Sequence, residues 1–168
     1  MKHGQGGFTL IEMAVVLVII AMTVLLVLPR LPDTSGAALK KSARTLASTI
    51  RYVRDQVTVN RIAHRLRFFP GEGKITITTL PPGGTETSPK DPFLNKQILA
   101  DRVTVTDVEV PRLGKVNSGE VAVDIGAAGV AEITTIHLKE SGGKQMTVIA
   151  FPYGGRVTVE EGYREVTP

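Results

Sequence analysis

Cysteine is absent from the 168 residues, which excludes a disulfide framework, a thiolate metal site and a cysteine nucleophile at once. Tryptophan is absent too, and aromatics make up only 5%, so a core has to be assembled from the Val, Ile and Leu that crowd the second half. That is a β-rich composition. The three histidines, His3, His64 and His137, stand far apart without the H-x-x-x-H spacing of a metal site. No nucleophile-elbow sequence surrounds a serine, and Gly83-Gly84 and Gly142-Gly143 lack the G-K-[ST] context of a phosphate loop. Asp91-Pro92 near Asp101 is not spaced as an EF-hand loop. The chain is therefore expected to be neither an enzyme nor a metal or cofactor binder. Blocks of one charge sign are missing as well: the net charge is +4, yet Lys and Arg alternate with Asp and Glu along most of the chain, as on solvated faces. The length suits one soluble domain with a short anchor, and no internal repeat suggests a solenoid.

What the chain does possess is a long apolar run. From Phe8 to Leu28 it reads FTLIEMAVVLVIIAMTVLLVL, with one charge, and at about 1.5 Å per residue it spans roughly the 30 Å of a bilayer core. A secretory signal peptide is disfavoured on three counts. The run exceeds the usual h-region, Leu28-Pro29-Arg30-Leu31-Pro32 offers no small-x-small cleavage site, and Glu12 would sit inside the h-region. Glu12 itself requires a partner, because a carboxylate inside a membrane helix costs about 2.5–3.5 kcal/mol on insertion scales. No Lys or Arg lies between Phe8 and Leu28. The cation available at that depth is an α-amino group made by cutting the Gly7-Phe8 bond, one helical turn from Glu12.

Gly7-Phe8-Thr9-Leu10-Ile11-Glu12 resembles the class III signal of type IV pilins and type II secretion pseudopilins. Lys2 in a short leader, the apolar helix and Pro29 at the position of a helix-kinking proline extend the likeness. The resemblance implies cleavage after Gly7 by a prepilin peptidase, N-methylation of Phe8, and pairing of Glu12 with the Phe8 amine of a neighbouring subunit. Self-pairing of Glu12 with its own amine, or protonation in the bilayer, is the alternative.

Past Pro29 and Pro32, Thr34 or Ser35 is placed to cap a second helical stretch. There Leu39, Ala43, Leu46, Ile50, Val53 and Val57 recur at spacings of three and four. Lys40, Lys41, Arg44, Arg51, Arg54 and Asp55 fall largely outside that stripe, which predicts a helix laid on a sheet with its basic face outward. Pro29 should kink the junction. Leu66 and Phe68, then Ile75 and Ile77, alternate about Pro70-Gly71-Glu72-Gly73 as a hairpin does. Residues 80–89 hold too many breakers for a regular element and read as an exposed loop. Val103 and Val105 alternate in one register and Val108 and Val110 in the next, so a break or bulge is expected near Thr106 and Asp107. Val121, Val123 and Ile125 form a strand closed by Gly126 and Gly129. Ile136 and Leu138 pair with Met146 and Val148 about Ser141-Gly142-Gly143, and Phe151 to Gly155 turns into a last strand with Val157 and Val159.

The predicted class is α+β and pilin-like. A leader covers 1–7, a transmembrane helix 8–28, a periplasmic helix continuation 29–62 and an antiparallel β-rich periplasmic domain of seven or eight strands 63–168. This order resembles the H-type minor pseudopilins of type II secretion and related minor pilins, most visibly at 39–69 and around Gly155-Arg156-Val157. It implies a single-pass protein of the bacterial inner membrane, with other pseudopilins or pilins, prepilin peptidase and membrane lipid as partners. A minor pilin of a type IV pilus or DNA-uptake system shares the same N-terminal logic, and a singly anchored periplasmic domain with no filament role is a third reading. Nucleic acid is not an expected partner: Glu160, Glu161 and Glu165 crowd the C-terminus against Arg164 and repel phosphates. The Arg51, Arg54, Arg61, Arg65, Arg67 series reads as a solvated helix-strand face.

Overall fold

The structure is a computed structural model and describes residues 9–27 and 36–165. Compactness divides the chain into two units between Asp33 and Thr34. The first holds helix α1, Leu10–Val27. The second is α+β, with helix α2, Ala37–Asn60, followed among the described residues by nine strands. In order these are β1 Ala63–Phe69, β2 Lys74–Leu80, β3 Val103–Val110, β4 Gly114–Val116, β5 Val121–Gly126, β6 Gly129–Val130, β7 Thr134–Glu140, β8 Gln145–Ala150 and β9 Val157–Glu161. They form two antiparallel sheets, ordered β2-β1-β5-β6 and β4-β3-β7-β8-β9. The kink expected at Pro29, and Thr34 and Ser35, lie outside the described residues.

The apolar stripe of α2 is buried as its period requires: Leu39, Ala43, Leu46, Ile50, Val53 and Val57 are all buried, and α2 packs on both sheets. Its cap differs from expectation. Gly36 occupies the N-cap, and among the described residues no side chain caps the first turn. At the other end Arg61 takes a left-handed conformation (φ 58°) and its N–H returns to the Val57 carbonyl at 2.9 Å, which turns the chain into β1.

The hairpin at Pro70–Gly73 joins β1 to β2 with Phe69 opposite Lys74. Its turn also links the sheets: the Gly71 N–H donates to the Val105 carbonyl at 2.7 Å, and the Val105 N–H to the Glu72 carbonyl at 3.1 Å. The expected irregularity in β3 is present, since the pairing with β7 shifts register between Val105 and Asp107. The extra residue returns Val108 and Val110 to the buried face of Val103 and Val105.

Two short strands escaped the periodicity. β4 is three residues and β6 two, too few to show alternation, and Gly126 and Gly129 pair across a hairpin where a plain strand end was expected. The segment after β2 is also less open than its breakers suggest. Thr87 bridges Thr79, Glu86 bonds Arg67, and Leu94, Ile98 and Leu99 enter the core. Among the described residues every buried apolar side chain lies between Leu39 and Val157, so the second unit carries a core of its own.

Candidate processing and assembly site

Helix α1 begins two residues past the Gly7-Phe8 bond. Thr9 stands before its first residue, and its hydroxyl accepts the Glu12 N–H at 3.3 Å while its carbonyl accepts the same N–H at 3.1 Å. Thr9-Leu10-Ile11-Glu12 thus has the T-x-x-E pattern of a capping box, with the threonine half formed. Glu12 occupies the first turn, where a negative charge complements the positive end of the helix dipole. The carboxylate is exposed, and so is every described side chain from Leu10 to Val24, Leu10 at 90% and Leu17 at 62%. An apolar helix with no polar face is made to be covered by something other than water. Gly7, Phe8 and Pro29, the other residues singled out in the sequence, lie outside the described residues.

Among the described residues no helix is long and apolar enough to cross a membrane. Helix α1 has 18 residues, about 27 Å at 1.5 Å each, against a hydrocarbon layer of about 30 Å. Phe8 and Leu28, which complete the apolar run, flank it outside the described residues.

In the second unit the arginine series lies on a solvated face, with Arg51 and Arg61 exposed and the others half-buried, but carboxylates and carbonyls offset most of its charge. Arg65 grips Asp124 through Nε at 2.6 Å and Nη2 at 2.9 Å. Arg67 holds Glu86 through Nε at 3.1 Å and Nη2 at 2.5 Å, and reaches Glu120 as well. The Arg67 guanidinium, helped by the Thr78 hydroxyl, keeps Glu86 below the usual carboxylate range. Arg51 donates to the Val157 carbonyl at 2.6 Å, and Arg54 to the Gly154 carbonyl at 2.8 Å and to Asp55. Asp91, weighed in the sequence as a calcium ligand, takes the Tyr52 hydroxyl and the Phe93 N–H, and these bonds, the tyrosine's first, hold it low.

Sequence reasoning missed the most enclosed polar cluster. The β3 bulge sets Asp107 opposite His137, whose side chain is fully buried. His137 Nδ1 lies 2.6 Å from Asp107 Oδ1, and Nε2 lies 2.9 Å from the Arg164 carbonyl. A carbonyl cannot donate, so Nε2 carries a proton. Tyr163 stacks on the imidazole with centroids 3.7 Å apart, and its hydroxyl donates to Asp107 at 3.2 Å. Burial pushes the Tyr163 phenol up, against the pull of Lys115. The bulge was legible in the valine registers, but nothing in them told which side chains it would bring together. The cluster ties the C-terminal segment across β7 and β3 and is buried, which makes it a structural clasp.

Among the described residues His64 is the other buried histidine. Its Nδ1 lies 3.1 Å from the Ile62 carbonyl, and it lines a cavity of about 460 Å³ with Pro81, Thr87 and Leu94. Burial lowers its pKa, and the Ile62 bond opposes the shift. A base held lower in the folded state than its unfolded value near 6.5 contributes stability above about pH 6.5. That contribution is lost as pH falls below it, because the unfolded chain binds the proton more readily. Thermal melts of the wild type should therefore fall further between pH 7 and pH 5 than those of His64→Asn; equal slopes would remove His64 from the account.

Residues 2–28 match the prokaryotic N-terminal methylation motif. That match supports a type IV pilin-like protein. The α+β unit with its N-terminal helix and antiparallel sheets is consistent with a pilin-like fold. Neither a curated protein nor a solved structure gives a significant match.

Proposed function

We propose that the chain is a minor pseudopilin of a type II secretion system, a structural subunit that works by assembly and not by catalysis. In this reading a prepilin peptidase cuts after Gly7 and Phe8 is methylated on its new amine. The apolar segment 8–28 lies in the inner membrane, and the β-rich unit faces the periplasm. The observation that carries the reading is the methylation motif falling on a helix that starts at Leu10, capped by Thr9, with Glu12 in its first turn and apolar side chains on every side. Apolar helices gain little from hydrophobicity once in lipid, so association depends on packing and on polar pairing. Glu12 against the Phe8 amine of a neighbour supplies the pairing. A DNA-uptake minor pilin would share this logic, but the carboxylates on Arg65 and Arg67 and the acidic C-terminus favour secretion.

The test is processing. Co-expression with a prepilin peptidase should yield a chain whose intact mass lacks residues 1–7 and carries one added methyl, and Gly7→Ala should accumulate the uncut form. An uncut wild type, or cutting elsewhere, would overturn the proposal.

A further inference from the structure

The folded domain begins with a group of cations. Lys40, Lys41 and Arg44 are exposed on the first turns of α2, and the Lys144 side chain stands 3.5 Å from where a Cβ on Gly36 would lie. Between Thr34 and Arg54 the sequence has no acidic residue. Elsewhere in the unit Arg65, Arg67, Arg112 and Lys115 each meet a carboxylate within 2.7 Å. Lys41 and Arg44 meet none among the described residues. Among the described residues two carboxylates are near. Glu161 approaches Lys40 at 3.5 Å between side chains 82% and 48% exposed, a pair that neutralises little. Asp101 shares a shallow depression with Lys41 and accepts the Gln97 amide at 3.0 Å. The end of the helix has the same sign, since among the described residues no side chain caps its first-turn N–H groups.

We propose that this end of the domain binds the anionic phospholipid headgroups of the membrane in which the chain is anchored. The inference rests on the reading of 8–28 as the anchor. Helix α2 starts nine residues past Leu28, and nine residues span at most about 30 Å, so the patch is tethered within reach of the headgroup layer. Phosphodiester groups in a leaflet meet a spread of ammonium and guanidinium groups without demanding a shaped pocket. Each cation near an anionic surface adds about 1 kcal/mol, about fivefold, so the three α2 cations together contribute about 100-fold.

Residues 36–168 hold the core of the second unit and serve as the test protein. Sedimentation with vesicles of phosphatidylethanolamine and phosphatidylglycerol at low salt should retain this fragment, and vesicles of phosphatidylcholine alone should not. The triple variant Lys40→Ser, Lys41→Ser, Arg44→Ser should bind the anionic vesicles about 100-fold more weakly, with its circular dichroism unchanged. The control Arg61→Asn, Lys90→Ser, Arg156→Ser removes the same charge elsewhere and should retain most of the binding. Equal partition to both vesicle types, no binding, or full binding by the triple variant would overturn the inference. Displacement by duplex DNA at matched phosphate would also overturn it, in favour of a nucleic-acid surface. The fragment lacks 8–28, so none of these failures touches the processing experiment.

Discussion

Replacing His137 by leucine is expected to lower the stability of the β-rich unit by about 1–3 kcal/mol, the range for leaving buried hydrogen-bonding groups without their partner. Leucine approximates the volume, so the loss comes from polarity and not from a cavity. Asp107, 3% exposed, would keep the Tyr163 hydroxyl at 3.2 Å but lose the imidazole. The Arg164 carbonyl would lose its donor, and Tyr163 the ring on which it stacks. The C-terminal segment would then be held through Thr147, which donates to the Gly162 carbonyl and accepts the Arg164 N–H, and through the exposed Lys115–Glu165 pair at 2.7 Å. Urea unfolding of residues 36–168 measures the loss, and hydrogen exchange at Arg164 reports whether the segment opens first. A double replacement, Asp107→Asn with His137→Leu, should cost less than the sum of the single changes, because the two residues share one interaction. Additive costs would mean that the clasp is not a unit.

The second large effect concerns Glu12. Glu12→Val should leave membrane insertion intact or improved, because it removes a carboxylate that costs about 2.5–3.5 kcal/mol within a bilayer. On the proposed pairing, incorporation into a filament should nevertheless fall to background, since the Phe8 amine of each neighbour would then be left unpaired in lipid. Carbonate extraction reads the first quantity, and crosslinking from the β-rich unit to co-expressed pilin-like subunits reads the second. Glu12→Gln keeps the shape and a weaker hydrogen bond and should show partial loss. Unchanged incorporation by both variants would remove the pairing from the mechanism. Loss of membrane association would mean that Glu12 serves insertion instead.

The α2 stripe was legible because burial on one helix face leaves a period in the sequence, and Leu39 through Val57 carry it without interruption. The strands that could be read were those long enough to alternate. β4 and β6 were too short, and Leu94, Ile98 and Leu99 were hidden in a breaker-rich stretch because their burial depends on what folds over them. The helix cap was misplaced for a related reason. Thr34 and Ser35 have the chemistry of a cap, but Gly36 holds the position.

By itself the sequence determined what covalent chemistry and a local period can encode: the motif at 2–28, the carboxylate one turn past Phe8, the apolar run, the α2 stripe and the bulge in β3. The tertiary structure alone decided which charges meet. It gave Arg65 and Arg67 carboxylate partners in Glu86, Glu120 and Asp124, and among the described residues it left Lys41 and Arg44 without an acid. It also carried His137 onto Asp107 across 30 positions of chain. A period repeats within one element and can be counted along it, whereas a charge pair between strands depends on sheet order and register, which no single segment contains.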